Sequence, residues 1–181
     1  MRQLFLSVAI CLTIAVSTAE AQNSHGTASG ARLPGESRPR FVLANVNEQL
    51  VREFRGAWQQ SGLGTFDTEA VVLVLRNSDG SCKAVSAGQT NQTYAFTFTW
   101  NPAIIAIVHT HPNRRNPEPQ EQDILVARRF DIPIFTLTRR GMYMYDPSTE
   151  KITKVKSGVD WLDSSSWTEK PHLAVNQTPS R

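Results

Sequence analysis

His109, Thr110, His111 and Pro112 follow the apolar run Ala103–Val108 without a break, and Asp123 stands twelve residues beyond the second imidazole. In an extended segment the side chains at i and i+2 point to one face, so His109 and His111 can offer two ring nitrogens to a single ion. Pro112 ends the strand and leaves His111 at its mouth. Asp123 lies at the start of a helical stretch, from which its carboxylate can turn back towards the strand end. Two His and one carboxylate form a known catalytic zinc set, with the fourth tetrahedral position left for water. Moving the proton of such a water to a leaving group requires a base close by. Glu69 is the candidate, because it immediately precedes the apolar run Ala70–Leu75, where a charge is costly unless it has a partner or a task. An exposed strand edge would also suit a Glu there, and spacing leaves both readings open.

The elements that must position these residues can be read from periodicity. Leu50, Val51, Phe54 and Trp58 recur at three- and four-residue spacing, which predicts an amphipathic helix from Asn47, a capping residue, to Gln60, ended by Gly62. The nearly continuous apolarity of 69–75 predicts a strand buried on both faces, and Asn77-Ser78-Asp79-Gly80 turns it into a partner strand over 81–87. A segment around 94–98 alternates, and a further strand over 103–108 carries the His pair. A helix follows over 119–130, with Ile124, Ala127 and Phe130 facing inward. Asp131-Ile132-Pro133 breaks it before strands over 134–138, 142–146 and 151–155. Helices and strands in this order predict an α/β or α+β sandwich.

Glu69 before an apolar strand, then His109-Thr110-His111-Pro112, then Pro119-Gln120-Glu121-Gln122-Asp123 opening a helix, together resemble the JAB/MPN (JAMM) metalloprotease family. Bacterial RadC-like and secreted JAB-like versions are the most similar, sharing Pro-x-Pro before the last motif. The resemblance covers about 47–155. It implies a JAB/MPN-like, cytidine-deaminase-like mixed sheet sandwiched by helices. It also implies Zn²⁺ held by His109, His111 and Asp123, with Glu69 shuttling the proton in peptide or isopeptide hydrolysis. The sequence departs from the family pattern twice. Eleven residues, Pro112 to Gln122, separate the second His from the Asp where the family usually has about ten, and a loop tolerates the addition. Gln120 stands where the family has the Ser that helps stabilise the tetrahedral oxyanion, a loss that can cost about 10²–10³ in kcat. The Gln120 amide can replace that donor if its side chain folds back.

Composition bounds the rest. The 181 residues are 40% hydrophobic and 19% charged, with net charge +3, which suits one ordinary globular domain. No Lys/Arg block argues for nucleic acid. Arg2, the uncharged 13-residue run Leu4–Val16 and the exit Ala19-Glu20-Ala21 predict a secretory signal cleaved after Ala21. The run is short of the roughly 20 residues a bilayer span needs, so no membrane anchor is expected after cleavage. The Gly-, Ser- and Pro-containing stretch 22–40 reads as a flexible leader, 41–157 as the domain and 158–181 as an extension with a loose end. Cys11 leaves with the signal, and the remaining Cys82 reads as a small packed residue with no disulfide partner. Arg114-Arg115 flanks the His pair and could hold a substrate carboxylate. His25 and His172 read as solvated. The sequons at Asn91 and Asn176 matter only in a cell that glycosylates its exports.

The function expected from these residues is that of a zinc-dependent hydrolase, secreted or periplasmic, acting on a peptide or protein. The alternatives are a binding module that keeps the fold without catalysis, favoured by Gln120, and a metal-dependent secreted effector. Mass spectrometry of the exported protein should find Gln22 at the N-terminus, and an exported form beginning at Met1 would refute the signal assignment.

Overall fold

The computed structural model describes Phe41, residues 46–89 and residues 98–163. The signal, the leader, the larger part of the alternating segment, both sequons, Trp167 and His172 lie outside these residues. Among the described residues no helix is long and apolar enough to cross a membrane.

Helix α1 (Glu48–Gln60) begins where the sequence predicts, with Asn47 Oδ1 accepting the Leu50 N–H at 2.9 Å. Strand β1 (Ala70–Arg76) pairs antiparallel with β2 (Cys82–Gln89) through the Asn77–Gly80 turn and, on its other side, antiparallel with β3 (Ile104–Thr110). Helix α2 (Glu121–Phe130) crosses from β3 to β4 (Ile134–Thr138), and such a crossover makes that pair parallel. Strands β5 (Gly141–Asp146) and β6 (Lys151–Ser157) complete the sheet by antiparallel pairing, giving the order β2-β1-β3-β4-β5-β6. Among the described residues the chain is thus mixed α/β, with one six-stranded mixed sheet, two α-helices and a short 3-10 turn at Asp160–Leu162.

The helices cover opposite faces. Leu50, Val51, Phe54 and Trp58 of α1 pack with Val72, Val74, Val108, Phe135 and Leu137, whereas Val126 and Ala127 of α2 pack with Val71, Ile107 and Ile134. Alternation along β1 and β4 therefore feeds both cores, as the continuous apolar runs predict. Ile124 and Phe130 of α2 are partly buried as expected, while Leu125 stays exposed. Cys82 is free and packs against the α1 core.

Boundaries differ from expectation for identifiable reasons. Strand β3 continues through His109 and Thr110, because His109 pairs with Val71 on one side and Thr136 on the other. Helix α2 starts at Glu121 because Gln120 keeps an extended backbone (ψ 175°). Strand β5 takes in Gly141, whose φ of 129° brings its Cα so near β6 that an added Cβ would lie 2.0 Å from the Lys156 carbonyl oxygen.

Phe54 is fully buried between α1 and the sheet. Phe54→Ala should lower the unfolding free energy by about 3–5 kcal/mol, against less than about 0.5 kcal/mol for Leu125→Ala, as read by urea denaturation.

Candidate metal centre

Three segments deliver the site to the C-terminal end of β3. His109 is the penultimate residue of that strand and His111 follows it, with the His111 N–H bonded to the Leu137 carbonyl at 3.0 Å. Both imidazoles are buried, and their Nε2 atoms face each other at 3.0 Å. The other ring nitrogen of His111, Nδ1, lies 2.9 Å from the Asn116 carbonyl. A carbonyl can only accept, so Nδ1 carries the proton and the Nε2 lone pair is left to face the site.

Asp123 arrives from the first turn of α2. Its Oδ2 accepts the Gln120 N–H at 2.7 Å, satisfying one of the orphan donors at the helix start and fixing the carboxylate plane. The two carboxylate oxygens then reach both rings, Oδ1 at 3.4 Å from His109 Nε2 and Oδ2 at 3.9 Å from His111 Nε2.

Glu69 immediately precedes β1. The Ala70 N–H next to it donates to Thr110 Oγ1 at 2.9 Å, a buried bond that ties the start of β1 to the residue between the two His. Glu69, His109 and His111 bring one ligand atom each within 4.8 Å of one another. The exposed-edge reading of Glu69 therefore gives way, since the residue is half-buried and its carboxyl lies beside the His pair.

These positions suit a metal ion. A tetrahedral ion with bonds near 2.0–2.1 Å separates its donor atoms by about 3.3 Å. The two Nε2 atoms lie 3.0 Å apart, close to that separation, and Asp123 approaches them with one oxygen each, Oδ1 at 3.4 Å from His109 and Oδ2 at 3.9 Å from His111. Among the described residues the group whose ligand atoms, one from each residue, all lie within 4.8 Å is Glu69, His109 and His111, whereas Asp123 meets the two rings through different oxygens.

The charges are strongly coupled. Burial works against an imidazolium at His109, but the Asp123 carboxylate beside it, by charge and hydrogen bond, and Glu69 push its pKa up to about 9. Burial and the neighbouring His109 charge drive His111 down to about 4. Burial also raises the Glu69 pKa, with Asp123 adding to it and His109 and Arg115 opposing. For Asp123 burial is overcome by the His109 charge and hydrogen bond, so its pKa falls below the usual carboxylate value.

Gln120 enters the site through its backbone. Its side chain is exposed and its amide nitrogen donates to the Glu118 carbonyl at 2.7 Å. Arg114 pairs with Asp67, an exposed contact. Two residues without a signal in the sequence prove central. One is Thr110, which joins Glu69's strand to the His pair. The other is Asn113, whose N–H and Nδ2 donate to the Gly64 and Leu63 carbonyls at 2.8 Å each, and whose Oδ1 accepts the Arg139 N–H at 3.2 Å.

Comparison of the chain with known protein families, with curated proteins and with solved structures finds no match.

The coupling predicts how stability depends on pH in protein treated with a chelator. The raised pKa of His109 contributes stability that is complete below about pH 6.5 and lost as pH rises through about 9. The depressed pKa of His111 contributes stability present above about pH 6.5 and lost as pH falls through about 4. Urea unfolding from pH 4 to 9.5 should show both limbs, and Asp123→Asn, which can still accept the Gln120 N–H, should flatten the alkaline one. An alkaline limb unchanged in that variant would contradict the assignment.

Proposed function

We propose that the chain is an exported zinc-dependent hydrolase of peptide or isopeptide bonds with a JAB/MPN-like (JAMM) fold, working outside the cytoplasm after removal of its signal. The observation that carries this reading is that Glu69, beside the start of β1, and His109 and His111, at the end of β3, bring ligand atoms within 4.8 Å of one another, while Asp123 from the first turn of α2 contacts both rings. His109, His111 and Asp123 would hold the ion, since the Asp123 carboxylate spans both rings and is fixed by the helix start. A bound Zn²⁺ would act there as a Lewis acid and lower the pKa of a water it holds to about 7.

Glu69 then has the role of general base. Its raised pKa, set chiefly by burial, brings it closer to the working pH at which a carboxyl can both take up and return a proton. In the proposed cycle the Glu69 carboxylate accepts a proton from the nucleophilic water and later delivers it to the leaving amine. The Ala70–Thr110 bond keeps that carboxylate from drifting away from the His pair. The exposed Gln120 side chain favours a second reading, a binding module with the same centre, because its amide is engaged with the Glu118 carbonyl and Gln stands where a hydroxyl donor would serve the oxyanion.

Screening a peptide and isopeptide library with zinc-loaded protein tests both. Glu69→Gln should retain one zinc and lose about 10²–10⁴ in turnover. His109→Ala, His111→Ala and Asp123→Asn should lose the zinc. Gln120→Ser should raise turnover. If Glu69→Gln loses zinc while Asp123→Asn keeps it, the two carboxylates exchange roles. If wild type holds zinc, binds a peptide and never cleaves it, the binding module replaces the enzyme.

A further inference from the structure

The segment between α1 and Glu69 exposes two large apolar side chains, Leu63 at 54% and Phe66 at 55%. Leu63 also occupies the left-handed region, with φ 57°, between Gly62 and Gly64 at 61° and 75°. Glycine adopts that conformation freely and asparagine with little strain, whereas leucine does not. Core packing does not account for it, since the side chain lies outside. A strained, exposed leucine held in place by other residues is the kind of outlier that points to function.

The holding residues belong to the candidate centre's own loop. Asn113, two residues after His111, binds the Leu63 and Gly64 carbonyls. A Cβ on Gly64 would lie 2.7 Å from Asn113 Oδ1, so the two segments are pressed together there. Arg114 pairs with Asp67, and the segment runs on into Glu69 itself. Phe66 lies over Gly62, where an added Cβ would come within 2.8 Å of its ring. The segment is thus fastened to the metal loop at one end and to the proposed base at the other.

We propose that Leu63 and Phe66 form an apolar platform beside the centre, which takes an apolar side chain of the peptide whose bond is cleaved. This rests on the hydrolase reading and adds a substrate class to it: peptides carrying a large aliphatic or aromatic residue next to the scissile bond. Gly62 and Gly64 let the turn form, and Asn113 holds Leu63 in a conformation that keeps its side chain outside the core.

Hydroxamates, which anchor to a protein-bound zinc, serve as probes. By titration calorimetry, zinc-loaded wild type should bind N-acetyl-phenylalanine hydroxamate about tenfold more tightly than acetohydroxamate. Leu63→Asn and Phe66→Ala should each cut that advantage to about threefold or less and leave acetohydroxamate affinity unchanged. Leu63→Asn should keep or raise Tm, by up to about 2–4 °C, because strain is relieved. Val85→Thr, an exposed apolar position on β2, should keep the full advantage. No advantage in wild type, or one that survives in both platform variants, would overturn the platform while acetohydroxamate binding leaves the centre standing. Failure of acetohydroxamate to bind would overturn the metal centre and the platform with it.

Discussion

Two imidazole nitrogens held 3.0 Å apart in a buried strand end, with the carboxylates of Glu69 and Asp123 around them, set the terms for the rest of the molecule. Burying charge costs several kcal/mol per group unless it is compensated. With neutral imidazoles and ionised carboxylates the cluster carries two negative charges, which a divalent cation would cancel. Protonation of His109 offsets one of them, which is why its pKa is raised so far. A set of side chains this mutually perturbed is costly as mere packing and well suited to binding a cation.

The fold supplies that arrangement through a few backbone relations. The parallel β3–β4 pair needs the α2 crossover, and the crossover brings the first turn of α2 to the strand end where the His pair emerges. Asp123 then serves the helix and the site together, one oxygen capping the Gln120 N–H and the other reaching His109. Thr110 belongs to β3 but bonds to the start of β1, which ties the strand that follows Glu69 to the strand end that bears the imidazoles. Asn113 extends the same fastening to the turn after α1 and to the β4–β5 turn.

Much of this is legible in the sequence because it rests on local pattern. The α1 stripe, the continuous apolarity of β1 and the i, i+2 spacing of His109 and His111 are periodicity statements, and the structure shows them as read. The strand ends were less legible, because His109 and Thr110 stay in β3 through pairing with Val71, Thr136 and Leu137, which lie far away in sequence. Thr110 and Asn113 gave no signal, since a hydrogen bond across 40 or 50 residues leaves no local trace. Gly-Leu-Gly announced a turn but not that Leu63 itself turns left-handed. The choice of Asp123 rather than Glu69 as the third candidate ligand rested on spacing, which the family pattern shares, whereas the geometry brings both carboxylates to the His pair.

The central claim is that this cluster exists to bind one divalent cation, and proton release on zinc binding tests it most directly. Because His109 holds a proton at neutral pH and must give it up to become a ligand, titration calorimetry at pH 7 in buffers of different ionisation enthalpy should show one zinc bound and about one proton released. Lowering the His109 pKa by Asp123→Asn should reduce that release along with the affinity. Zinc that fails to bind stoichiometrically, or binds without releasing a proton, would contradict the account.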